Sequence, residues 1–299
     1  MKLLVFKTGA GTAVAALKGT VPAGGDLAGV GAINLTQAMP EIGSDLQVLA
    51  QSGPEKLAEI SALVDASEAT LNAEDLRPAM PIAQPGKLLC LGLNYAGHAK
   101  EGGHDVPDYP AIFMRALTSL MASGEPMVRP HISDQLDFEA ELMLIVGKPG
   151  RYISEADGLD HVFGYTVFND GSVRNFQRKS SQWTPGKNFD ATGPVGPIVV
   201  TPDEVPPGAH GLRIQSRLDG EIMQDSNTSD MIFPVARTIA IVSEFMSLEP
   251  GDMIAFGTPQ GVGYARTPPV FMKPGQTIEI EIEGIGTLAN PVVDEGAAG

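Results

Sequence analysis

The run Asp137-Phe138-Glu139-Ala140-Glu141-Leu142-Met143-Leu144-Ile145-Val146-Gly147 reads as one strand that begins in acid and ends in core. Side chains on a strand alternate faces, so Glu139 and Glu141 point the same way. Residues 142–146 are apolar without alternation, the pattern of a strand covered on both faces. The acid pair therefore stands at the mouth of a buried strand. A second strand, Gly164-Tyr165-Thr166-Val167-Phe168-Asn169-Asp170, delivers Asp170 at its end, where a loop begins. Three carboxylates brought together repel one another unless a cation joins them. An all-oxygen set suits magnesium, manganese or calcium rather than zinc. The plainer alternative is solvation: Glu279, Glu281 and Glu283 share the spacing, and there the polar face is expected simply to meet water.

Outward from these strands, the chain alternates strand, glycine turn and strand. Strands are expected over 87–93, 111–115, 136–147, 162–169, 198–200, 212–218, 253–257 and 277–283. One helix is expected over 233–246, where Val235, Ile239, Val242 and Met246 recur at helical spacing. With 35 glycines and 24 prolines, short strands joined by turns are the natural reading. Many strands with few helices favour a β-rich α+β roll or sandwich over a doubly wound parallel sheet. Residues 1–80 read as a small N-terminal α+β unit, with strands at 3–6 and 12–17 and helices at 35–39 and 54–67. Pro78, Pro81 and Pro85 mark a linker before the second unit, 86–293.

A net charge of −16 with no basic stripe argues against DNA or RNA as partner. The single cysteine, Cys90, excludes an internal disulfide framework and a cysteine-based zinc site. No apolar run reaches the roughly 18 residues needed to span a bilayer. The first seven residues read as a strand and not as a signal peptide, so a cytoplasmic protein is expected.

Other residues could carry chemistry. His98 and Glu101 share a helix face three residues apart, where a carboxylate can orient an imidazole or itself draw a proton from water. The alternative is an ordinary surface pair, although Gly97, Gly102 and Gly103 around it suit a segment that opens and closes. Arg174, Gln177 and Arg178 follow Asp170 closely, and Lys187 comes soon after. Cations there could hold an anionic substrate or stabilise an enolate, or could simply be solvated. The turn Gly257-Thr258-Pro259-Gln260-Gly261-Val262-Gly263 lacks the lysine ending of a phosphate loop, and is better read as bringing its backbone or the Thr258 hydroxyl to a ligand.

These segments, in this order, resemble the fumarylacetoacetate hydrolase family. The resemblance rests on Gly92-Leu93-Asn94-Tyr95 with His98 and Glu101, on Asp137 to Leu142, on Gly164 to Asp170, on Gly186-Lys187-Asn188-Phe189-Asp190 and on Gly257 to Gly263. It implies a mixed β-sandwich roll, usually a homodimer, with a divalent metal (magnesium or manganese, calcium in its place) held by Glu139, Glu141 and Asp170. It also implies action on β-diketo acids, particularly acylpyruvates. His98 and Glu101 map onto the family's lid dyad, and Arg174, Gln177 and Lys187 onto its substrate-side residues. Thr258 and Arg115 are placed with the substrate-binding set, although many relatives carry lysine where this chain has Arg115. The expected activity is cleavage of a carbon–carbon bond in an acylpyruvate or diketo-deoxy sugar acid, with release of pyruvate. Glu101 would activate the water and Lys187 would stabilise the enolate. Oxaloacetate decarboxylation, 2-hydroxy-dienoate isomerisation and a non-catalytic binding role are the alternatives.

Overall fold

A computed structural model describes residues 1–22, 25–103 and 105–297. The strand Ala140–Val146 lies inside a mixed twelve-stranded sheet, antiparallel to Val162–Asn169 on one side and to Met253–Ala255 on the other. Its alternate residues bury into different cores. Ala140, Leu142, Leu144 and Val146 join one apolar cluster, while Met143 and Ile145 join another. That two-sided burial is why the sequence here is continuously apolar.

A second, five-stranded sheet packs over the first of these clusters. Its strand Thr277–Ile282 shows the half-buried alternation of an antiparallel sheet. Ile278, Ile280 and Ile282 point to the core, and Glu279 and Glu281 pair with Arg217 on the neighbouring strand at 3.0 and 2.6 Å. These glutamates are thus held by a cross-strand cation as well as meeting water, and no metal-type cluster forms around them among the described residues.

The helix Val235–Phe245 buries Val235, Ile239 and Val242 of the expected stripe, while Met246 follows the helix end and is half-buried. The first 80 residues are joined to the rest by sheet hydrogen bonds. Lys2–Thr8 pairs antiparallel with Ile198–Val200, and Ile198–Val200 pairs with Val162–Asn169. Beyond Lys2–Thr8 the sheet continues through Gly11–Lys18 and Gly31–Asn34. The helix Gly53–Ala66 buries Ile60 and Val64 in the same cluster as Met143 and Ile145.

Several segments depart from the sequence reading. The run 136–147 is not one strand: Leu136–Asp137 pairs with Ser172–Val173, the chain breaks at Phe138 and Glu139, and the long strand starts at Ala140. Strands at Glu221–Asn227 and Gly286–Asp294 were not anticipated.

Candidate active site

The ladder itself assembles the three carboxylates. Ala140 stands opposite Asn169 and Glu141 opposite Phe168, so one further step along the register sets Glu139 opposite Asp170. The Asp170 N–H donates to the Glu139 carbonyl at 3.0 Å, closing that step. One carboxylate oxygen from each of Glu139, Glu141 and Asp170 lies within 4.8 Å of the others, and all three residues are buried.

Cations hold this cluster together. The Lys187 ammonium lies 2.7 Å from Glu139 and 2.6 Å from Asp170. Arg174 contacts Glu139 at 2.6 Å and Asp137 at 2.7 Å, and Arg115 contacts the other Asp170 oxygen at 2.6 Å. Four buried acids thus face three buried cations, leaving one formal negative charge. A dication with an anionic ligand would bring that charge to zero. The donor set fits a hard divalent cation on both count and chemistry.

The carboxylates differ in proton affinity. Burial alone would raise Glu139, but Lys187 and Arg174 outweigh it and hold its pKa down to about 2. Glu141 has no such partner. Burial, then the charges of Asp170 and Glu139, push it well above the ordinary carboxylate value, against weaker help from Lys187 and the Gly257 N–H, which donates to it at 3.0 Å. Burial opposes the charge on Lys187, yet Asp170 and Glu139 raise its pKa above the usual lysine value.

A cavity of about 280 Å³ opens over the cluster, lined by Glu139, Glu141 and Asp170 together with His98, Arg174, Gln177, Lys187 and Thr258. Eight of the ten expected site residues therefore share one space. Arg178, Ser180 and Tyr264 line it too, and Phe113, Trp183 and Leu93 give it an apolar side. Trp183 packs edge-on against Phe113 with ring centroids 5.5 Å apart. Gly92 makes room for it, since a Cβ there would lie 2.1 Å from the indole.

The remaining two stand elsewhere. Glu101 is not among the lining residues. It accepts the Gly261 N–H at 3.0 Å and sits 3.5 Å from His98 Nδ1, which makes no hydrogen bond among the described residues. Arg115, expected at the substrate, stands behind Asp170. Its guanidinium donates to Asp170, to the Thr192 hydroxyl at 2.7 Å and to Ser119 at 3.2 Å, with no face on the cavity. Arg115 directly follows the strand Ala111–Met114 and is buried against Asp170.

The sequence reading assigns no role to three supporting residues. Asp137 accepts from Arg174 and from the N–H groups of Gly263 and Tyr264, tying the acid run to the 257–263 turn. Asn169 accepts the Glu139 N–H at 2.9 Å. Gln224 accepts the Ala140 N–H at 3.0 Å and donates to Thr258 and to the Pro259 carbonyl, each at 2.8 Å. Each fixes backbone next to a candidate ligand, as supporting residues around metal sites do.

The β-rich fold thus carries a buried acid cluster under a cation-lined cavity. Residues 87–293 match the model of the fumarylacetoacetate (FAA) hydrolase C-terminal domain, and the chain belongs to that family. It is 38% identical over 263 residues to oxaloacetate tautomerase fahd2, mitochondrial, of Xenopus laevis, covering 87% of this chain and 82% of that one. It is also 38% identical over 267 residues to a Bos taurus oxaloacetate tautomerase, mitochondrial, covering 89% and 85%. Among solved structures, a fumarylacetoacetate hydrolase from Exiguobacterium antarcticum superposes with a TM-score of 0.83 at 30% identity, covering 99% of this chain and all of that one. A 2-hydroxyhepta-2,4-diene-1,7-dioate isomerase from Mycobacterium marinum superposes with a TM-score of 0.76 at 31% identity, covering 99% of each chain. Among the described residues, no helix is long and apolar enough to cross a membrane.

Proposed function

We propose that this protein interconverts the keto and enol forms of a small 2-oxo acid, oxaloacetate being the first to test, with the help of magnesium or manganese at Glu139, Glu141 and Asp170. The observation that carries this reading is that His98 lines the cavity while Glu101, 3.5 Å from its Nδ1, does not. A cation at the three carboxylates would supply Lewis acidity toward the substrate carboxylate and 2-oxo oxygen. His98 then removes a proton from C3, and negative charge gathers on the C2 oxygen. The Lys187 ammonium, fixed between Glu139 and Asp170, is placed to stabilise that charge. Return of the proton to oxygen completes the tautomer, so the C3–H bond breaks and an O–H bond forms. Glu101 serves by orienting the imidazole. The names of the curated relatives support oxaloacetate as substrate.

The test is the loss of oxaloacetate enol absorbance with magnesium-loaded protein and with H98N. No acceleration over buffer and metal alone would sink the reading.

Hydrolysis of an acylpyruvate or diketo-deoxy sugar acid is the second reading, favoured by the carboxylate of Glu101 beside His98, a pair able to draw a proton from water. Release of pyruvate from an acylpyruvate, abolished in E101Q, would select it over tautomerisation. Oxaloacetate decarboxylation would show as carbon dioxide release in the same screen. A homodimer and a cytoplasmic location belong to this proposal as well, tested by light scattering and by cell fractionation.

A further inference from the structure

Arg178 lines the cavity, yet among the described residues its guanidinium makes no ion pair and no hydrogen bond. Its one side-chain contact of note is the Tyr264 ring, whose centroid lies 4.3 Å from its Cζ. The same ring receives Arg174 at 4.5 Å. Two guanidinium groups are therefore held against one phenol at one side of the cavity. Arg174 is matched by Asp137 and Glu139, but its Nη2 is a buried donor without an acceptor. Arg178 has no counter-charge. Like charges gathered on one ring are stable next to an anion and repel without one.

Resting on the 2-oxo acid reading above, we infer that Arg178, with the spare Nη2 of Arg174, recognises a second carboxylate on the substrate. The enzyme then selects 2-oxo dicarboxylates over 2-oxo monocarboxylates. The first carboxylate and the 2-oxo group belong at the acid cluster, and the distal carboxylate belongs at the arginine pair. The aromatic side formed by Phe113 and Trp183 offers no comparable donor to an anion. Tyr264 positions both guanidiniums and so helps fix the distance between the two subsites.

The test uses magnesium-loaded protein and two non-enolising ligands, malate and 2-hydroxybutanoate, which differ only by a carboxylate in place of a methyl group. Calorimetry should show wild type preferring malate by about tenfold to a hundredfold, the range for a charge-assisted hydrogen-bonded contact. In R178Q the ratio should collapse toward one, and R178K should recover part of it. Arg178 is exposed, so these variants should fold as wild type does. A wild type with no preference, or an R178Q that keeps it, overturns the inference. Because binding is read without turnover, failure of the tautomerase reading shows separately, as absent oxaloacetate activity beside an intact malate preference.

Discussion

Removing the buried cation beneath Asp170 is the sharpest test of how this site is held. In R115M, Asp170 loses its 2.6 Å partner, and Thr192 and Ser119 lose a donor each. Truncating one member of a buried pair costs about 3–5 kcal/mol. Asp170 keeps Lys187 at 2.6 Å, which places the cost at the lower end, about 3 kcal/mol. For a chain of this size that is a fall in Tm of about 6–12 °C. The formal charge of the four acids and the remaining two cations moves from −1 to −2, so a dication should stabilise R115M more than it stabilises wild type. R115K keeps the charge but loses the fork that reaches Asp170, Gly171, Thr192 and Ser119, and should fall between the two. Thermal unfolding by circular dichroism, with and without magnesium, reads all of this. A Tm for R115M within about 2 °C of wild type, or a smaller magnesium response than wild type, would refute the argument.

Other outcomes follow from the same geometry. Glu141 is raised by burial and by its acidic neighbours, so metal binding should expel its proton. Metal affinity should therefore climb with pH and level off above the folded pKa of Glu141, and calorimetry in buffers of different ionisation heat should record proton release. H98N should lower kcat by about a hundredfold or more, whereas E101Q, acting through His98, should cost less; steady-state kinetics on oxaloacetate separates them, and equal losses would make Glu101 a proton carrier. Q224L leaves the Ala140 N–H without its acceptor and Thr258 without its donor, at about 1–3 kcal/mol per buried group, and should weaken metal binding as well as lower Tm.

The acid cluster was legible because strand pairing turns sequence positions into neighbours. Glu139 and Glu141 sit two apart, Asp170 directly follows the partner strand, and one antiparallel register sets all three together. The break at Phe138 was not legible, since acid and apolar residues alternate straight through it. What ends the strand there is pairing of Leu136–Asp137 with a different partner. Glu221–Asn227 was missed because Gln-Asp-Ser-Asn gives no apolar rhythm, and Gln224 went with it. Gly286–Asp294 carries Asn290 and Pro291, which read as turn residues. Arg115 shows a further limit. The family resemblance places it with the substrate-binding residues, but nothing in the sequence says that it emerges against Asp170 and away from the cavity.

Trp183 is the chain's single tryptophan, and it stands on the wall of the cavity. The protein thus carries its own optical probe, one whose emission comes from a known place. A paramagnetic ion such as manganese entering the acid cluster should quench it, and a ligand sealing the cavity should shift its emission maximum. Site occupancy can then be titrated in solution on unlabelled, unmutated protein, before any substrate has been identified.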